Sequence, residues 1–317
     1  MDLEKIYFIY RLLQLKGVGN VLANKVLERL SSKAENLTFD STDNVIKDEL
    51  GNILTESQIE EFTKINHKLL EQLNKLTNKD VSFISVLNPA YPKILKNSFG
   101  KSSPPVLSCM GNLELLEMTS VGFCGSRKAS ERGLEVARDC TEQLSKQNVA
   151  LVSGYAAGID QQVHLTALES SGYTIIVLPE GIMNFKFKKL LQSHWDWDRV
   201  LVISEFIPDD IWLASRAMQR NSTIVALSNV MILIEAARNG GSIDAGKKAL
   251  KLNRTLYVPR YENMGESAEG NKELLDLGAI PLLRDKNTGR ANLNHLFDNI
   301  SHFKSTKNHT VKQLTFL

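Results

Sequence analysis

Two hydrophobic rhythms divide the chain. Up to about residue 80, apolar positions recur at helical spacing. Ile6, Ile9, Tyr10 and Leu13 form one set; Ile59, Phe62, Ile65, Leu69, Leu73 and Leu76 form another, behind Thr55 as a plausible cap. From Val81 the rhythm changes to short runs that are apolar throughout, at 83–87, 121–124, 150–152, 174–178, 200–203, 230–234 and 255–258. Helical patterns separate most of them, as at 130–146 and 159–169. Strands without polar alternation imply a sheet covered on both faces. Regular strand–helix alternation implies right-handed parallel crossovers. The pattern therefore predicts an α/β protein: a doubly wound, mostly parallel sheet preceded by a small all-helical domain. The expected boundaries are 1–80 for the helical domain, 81–283 for the α/β domain, and 284–317 for a short, polar, loosely ordered tail.

Within the first segment, Leu15 to Leu27 reads as two helical stretches around Gly17-Val18-Gly19. Glycines permit a tight turn and can expose amides to a phosphate. A helix-hairpin-helix element and an ordinary tight turn both satisfy this spacing.

Length and composition narrow the class. A chain of 317 residues has room for two domains, and 43% hydrophobic content excludes a mostly disordered protein. With 38 Lys+Arg against 36 Asp+Glu there is no global field to recruit a polyanion, so nucleic-acid binding would need a local patch. The three cysteines, Cys109, Cys124 and Cys140, form no CxxC pair, which argues against a disulfide framework or a zinc site. No apolar run approaches the ~18 residues of a membrane span, and the acidic start is no secretory signal. A cytoplasmic location, no metal and no cofactor are expected.

In an open parallel sheet, ligands collect beyond the carboxyl ends of the strands. Here those ends carry Gly125-Ser126-Arg127, Ser153-Gly154-Tyr155-Ala156-Ala157-Gly158-Ile159-Asp160, Pro179-Glu180-Gly181, and Glu235 followed by Asn239-Gly240-Gly241-Ser242. Four small-residue loops on one rim can cradle oxyanions with amides and hydroxyls. Arg127 adds a planar guanidinium suited to phosphate. The GxGxxG dinucleotide fingerprint, the P-loop and the nucleophile elbow are all missing.

These residues carry a resemblance. Gly125-Ser126-Arg127 with Ser130 and Gly133, then Ser153-Gly154-x-Ala156-x-Gly158-Ile159-Asp160 with His164, resemble the DNA-processing protein A (DprA/Smf) family. Tyr91-Pro92-x-x-Leu95 and Pro104-Pro105-Val106-Leu107 upstream extend the match, as do Ser204-Glu205, Arg220-Asn221, Glu235, Gly241-Ser242, Val258-Pro259 and Gly270-Asn271 downstream. The likeness runs from about residue 85 to 283. It implies a Rossmann-like domain that binds single-stranded DNA, forms a homodimer, acts in DNA uptake and recombination during natural transformation, and helps load a RecA-type recombinase. Carried over, Gly125, Ser126, Arg127, Ser153, Gly154, Gly158, Arg220, Asn221, Gly241, Ser242 and Lys247 would contact phosphate.

The sequence also departs from the family. Its Ala-Arg-Gly-Ile-Asp is here Ala156-Ala157-Gly158-Ile159-Asp160, its Arg-Asn-Arg is Arg220-Asn221-Ser222, and its Pro-Gly is Pro259-Arg260. Two lost cations should weaken electrostatic binding. Lys128, Arg132, Lys247, Lys248 and Arg260 could supply the missing charge, or the pocket could serve another ligand. The winged-helix domain of some relatives is not expected in the short stretch after Leu283.

Several residues have competing readings. Asp160 and His164, four apart on a helix, could act as a general-base pair, but bracing of the second loop is the simpler role. Glu235 is the best catalytic candidate in an enzyme, against bracing of the Gly240–Ser242 loop. Trp195 and Trp197 could stack bases or simply pack. His295, His302 and His309 recur every seven residues without a cysteine partner, a spacing more consistent with chance than with metal. The apolar end, Gln313-Leu314-Thr315-Phe316-Leu317, either docks on its own domain or serves as a peptide for a sliding clamp. The leading expectation is a binding protein without catalysis. The alternative is a small-nucleotide sensor or a LOG-like nucleotide hydrolase, although the Pro-Gly-Gly-x-Gly-Thr-x-x-Glu stretch of those hydrolases is absent.

Overall fold

The computed structural model describes residues 3–31, 50–64, 66–262 and 265–313. Ile65 and the apolar end Leu314, Phe316 and Leu317 lie outside the described residues. The chain divides into two compact units. One holds the described residues up to Met110 together with Glu180–Phe185 and Ile203–Ile211; the other holds Gly111–Pro179, Lys186–Val202 and the chain from Trp212 onward.

In the first unit, α1 (Leu3–Gln14) and α2 (Asn20–Ser31) flank the Gly17 turn, followed by α3 (Glu56–Thr63) and α4 (His67–Thr77). Thr55 caps α3 in a full capping box with Gln58, and the Asn66 side chain accepts the Leu69 N–H to start α4. The periodic positions Ile6, Ile9, Ile59, Phe62, Leu69, Leu73 and Leu76 are buried. Strand β1 (Val81–Ser85) pairs antiparallel with β2 (Val106–Gly111), and α5 (Lys93–Phe99) lies between them in the chain. Tyr10 reaches this hairpin through a 2.7 Å hydrogen bond between its hydroxyl and that of Ser108.

The second unit carries the parallel sheet. Its strands are β3 (Ser120–Cys124), β4 (Ala150–Ser153), β5 (Tyr173–Val177), β7 (Val230–Leu233), β8 (Thr255–Pro259) and β9 (Ile280–Leu282); β6 (Val200–Ser204) carries the chain from the second unit into the first. The order is β6-β5-β4-β3-β7-β8-β9, and the pairs β5–β4, β4–β3, β3–β7, β7–β8 and β8–β9 are all parallel. Helices α6 (Glu131–Ser145), α7 (Ile159–Glu169), a short α8 (Lys189–Gln192), α9 (Ala214–Leu227), α10 (Gly241–Lys251), α11 (Glu269–Asp276) and α12 (Asn294–Gln313) complete it. Every residue of β3, β4 and β7 is buried, as continuous apolar runs require when helices cover both faces.

The segment expected as a loosely ordered tail is largely helical. Leu293, Leu296 and Ile300 pack into the same core as Val121, Phe123 and Ile232. Its polar composition hid this, because a helix that buries one stripe needs few apolar residues. No helix of the described residues is long and apolar enough to cross a membrane.

Candidate functional site

Chain order leaves β3 in both directions, to β4–β6 on one side and β7–β9 on the other. At that switch point the loops after β3, β4 and β7 and the start of α10 enclose a cavity of about 370 Å³. Gly125, Ser126, Arg127, Asp160, Arg220, Asn221, Gly241 and Ser242 line it. Ser153, Gly154, Gly158 and Lys247 are not among the lining residues.

Hydrogen bonds lace the rim together. The Ser242 hydroxyl donates to the Gly125 carbonyl at 2.8 Å, and the Asn221 amide donates to the Gly241 carbonyl at 3.1 Å. The Ile159 N–H donates to the Ser126 carbonyl at 3.3 Å. Gly158 makes that approach possible: its φ is +77°, and a Cβ there would lie 2.3 Å from the Ser126 carbonyl oxygen.

Beneath the rim lies a closed polar network. Asp160 accepts the Ser153 hydroxyl at 3.1 Å and the Ala156 N–H at 3.2 Å, and stands 3.8 Å from the Arg220 guanidinium. Ser153 also donates to the Phe123 carbonyl. Arg220 donates to the Val177 carbonyl at 3.0 Å and is 3% exposed. The guanidinium presses so close to the second loop that a Cβ at residue 154 would be 1.5 Å from its Nη1. His164 sits between the Gly154 carbonyl and the Thr174 hydroxyl. Burial pushes its pKa down to about 4, so it is neutral. The carboxylate of Asp160 and the ring of His164 are thus committed to holding the second loop.

Glu235 is also committed, but to a different loop from the one expected. It accepts the hydroxyl of Ser130 at 2.5 Å and its N–H at 3.0 Å, and Ser130 in turn caps α6 by accepting the Gly133 N–H.

The cations separate by partner. Arg127 is exposed, lies 5.7 Å over the Trp212 ring, and has no carboxylate partner among the described residues. Lys247 is held by Glu273 at 2.6 Å. Lys248 donates to the Ser222 hydroxyl, at one of the positions where the family resemblance would place an arginine. Lys188 donates to the carbonyls of Tyr155 and Ala156 at 2.8 and 3.1 Å, with its ammonium 4.5 Å from the Tyr155 ring centre. Burial holds its pKa below the ordinary amine range. The motifs pointed to neither Lys188 nor Trp212, because each comes from a loop without a motif.

Trp195 and Trp197 pack edge-on against each other and against Phe187, with ring centres 4.8 to 5.9 Å apart. His295 hydrogen-bonds the Tyr257 hydroxyl at 2.7 Å. The described residues hold no cluster of potential metal ligands. All three cysteines are free and buried; burial pushes Cys109 and Cys124 up to about 12.

Comparison with known proteins gives consistent results. The family model described as DNA recombination-mediator protein A matches residues 82–290. DNA processing protein DprA of Streptococcus pneumoniae is 32% identical over 209 residues, covering 65% of this chain and 72% of that protein. Protein Smf of Synechocystis is 28% identical over 305 residues, covering 85% of this chain and 72% of that protein. The X-ray structure of the pneumococcal protein superposes with a TM-score of 0.73 at 26% identity, covering 89% of this chain and 95% of that one. A structure of DNA processing protein A from Helicobacter pylori, whose subject is its single-stranded DNA binding mode, superposes with a TM-score of 0.57 at 25% identity, covering 70% of this chain and 96% of that one.

Proposed function

Because the chain belongs to the DNA recombination-mediator protein A family, we propose that it binds single-stranded DNA by capturing backbone phosphate in the cavity at the switch point. The observation that carries this reading is Arg127: exposed, unpaired with any described carboxylate, and placed over Trp212 at the cavity wall. Its guanidinium can take a phosphate while the 46% exposed indole offers a stacking face to a neighbouring base. The start of α10 at Gly241 and Ser242 supplies the positive end of a helix. No covalent step is part of this reading, since Asp160, His164 and Glu235 all serve hydrogen bonds within the protein.

Phosphate and base contacts of this kind are sequence-tolerant, which suits a protein that coats incoming or processed strands. Homodimer formation and hand-over of the strand to a RecA-type recombinase belong to the same proposal, on the strength of the family.

The test is a titration of labelled single-stranded DNA at several salt concentrations, with mononucleotides as competitors. Arg127→Ala should weaken binding to all sequences alike and lower the log–log salt slope by roughly 0.7, the value of one phosphate on a single strand. An unchanged slope would overturn the assignment. Release of free base from nucleoside monophosphates, abolished by Glu235→Gln, would establish the nucleotide-hydrolase reading instead.

A further inference from the structure

The rim has a second cavity, and the proposed role of Arg127 does not use it. It measures about 210 Å³ and opens at the carboxyl ends of β8 and β9, where Arg260 follows Pro259 and Arg284 follows Leu283. Arg132, from the first turn of α6, closes it with its guanidinium 5.0 Å over the Tyr261 ring. Arg260 stands where the family resemblance would place glycine, so it adds a charge beyond the pattern that resemblance implies.

The electrostatic balance favours an anion. Arg132, Arg260 and Arg284 all line the cavity and have no carboxylate partner among the described residues. Arg284 is oriented by donating to the Gly289 carbonyl. Two acids also line it: Asp139 is occupied by Arg290 and the Ala291 N–H, which leaves Glu135 as the opposing charge. Behind the guanidinium groups lies an apolar floor of Val136, Pro259, Tyr261 and Leu282. A guanidinium cluster recognises phosphate through planar, two-pronged hydrogen bonding, and an apolar floor suits a flat heterocycle.

The second cavity is tied to the first. Arg127 and Arg132 bracket one loop, and Glu235 fixes that loop by holding Ser130. The residue before Glu235, Ile234, accepts the Tyr261 hydroxyl at 3.4 Å.

We propose that the Arg132–Arg260–Arg284 cavity binds a nucleoside phosphate, as the nucleotide of a strand flanking the one held at Arg127. The part concerning the strand rests on the function proposed above; the recognition of a nucleoside phosphate does not.

Arg132 and Arg260 are exposed, so the double variant Arg132→Ala/Arg260→Ala should melt like the parent, which a thermal scan checks. Binding is then measured for a tetranucleotide, for a strand several times longer, and for thymidine monophosphate alone. In the double variant the long strand should lose affinity several-fold and its salt slope should fall by roughly 0.7, the value of the one phosphate held there, while the tetranucleotide binds as before. If thymidine monophosphate binding is lost and the long-strand slope is unchanged, the site takes free nucleotides and the shared chemistry stands. If neither long-strand slope nor mononucleotide binding changes, the proposal is overturned. Failure of Arg127→Ala to weaken DNA binding would sink the first cavity's role alone, because the double variant reports on the second.

Discussion

The loop after β3 and the loop after β4 look interchangeable in the sequence: each is short, rich in glycine and serine, and opens a helix. The structure gives them different work. Gly125-Ser126-Arg127 faces the cavity and presents an exposed guanidinium. In the second loop, Ser153 is fully buried and its hydroxyl is taken by Asp160 and the Phe123 carbonyl, while Gly154 makes room for Arg220. Both loops satisfy their small polar groups within the protein, the first through the Gly125 and Ser126 carbonyls and the Ser126 hydroxyl, but only the first also offers a guanidinium outward. A small-residue loop at a strand end is therefore not in itself a ligand contact, and what decides is whether its polar groups already have partners.

That contrast predicts where damage falls on folding and where on binding. The largest effect should come from Asp160→Ala, which strips the buried Arg220 of its counter-charge and the Ser153 hydroxyl of an acceptor. Breaking a buried pair by removing one partner costs on the order of 3–5 kcal/mol, read as a shift in the urea midpoint. A small shift would mean that the second loop does not depend on its network.

A comparable loss should appear with acid. His164 is neutral in the folded protein, with its pKa pushed down from 6.5 to about 4 by burial. The unfolded chain therefore binds the extra proton first. Stability from this residue is complete above about pH 6.5, falls as pH drops towards 4, and changes by about 3 kcal/mol across that window. His164→Asn should lower stability at neutral pH and flatten this part of the profile. Equal slopes in the two proteins would remove His164 from the account.

The smallest effect belongs to Lys247→Ala. Its ammonium is held by Glu273 on the protein surface, so both melting and DNA affinity should change by less than about 0.5 kcal/mol. A loss of DNA affinity matching that of Arg127→Ala would show that Lys247 leaves its carboxylate to meet the ligand.

Much of the architecture is legible in the sequence because apolar runs and helical spacing respond directly to burial. The runs at 121–124 and 150–152 became β3 and β4 almost unchanged, and the pattern at 159–169 is α7 to the residue. Strand β9 escaped notice because Pro281 interrupts it; proline is tolerated there because the strand lies at the sheet edge. The run at 83–87 sits two residues early, as Val81–Ser85, since pairing with β2 and not hydrophobicity sets its ends. At the site, Arg127, Asn221, Gly241 and Ser242 were located because each sits in a short run of residues that carries the family resemblance. Trp212, Lys188 and the Arg132–Tyr261 contact depend on folding that brings distant segments together, and no spacing along the chain encodes that.

The bonds from Ser242 to Gly125, from Asn221 to Gly241 and from Ile159 to Ser126 have a kinetic consequence. They join the loops after β3, β4 and β7 into one frame, so the conformational entropy of shaping the cradle is lost during folding and not during capture. Ligand should therefore enter by simple encounter, without a slow closing phase. Its association rate should scale linearly with concentration and rise at low ionic strength, and differences in affinity between ligands should appear mainly as differences in residence time.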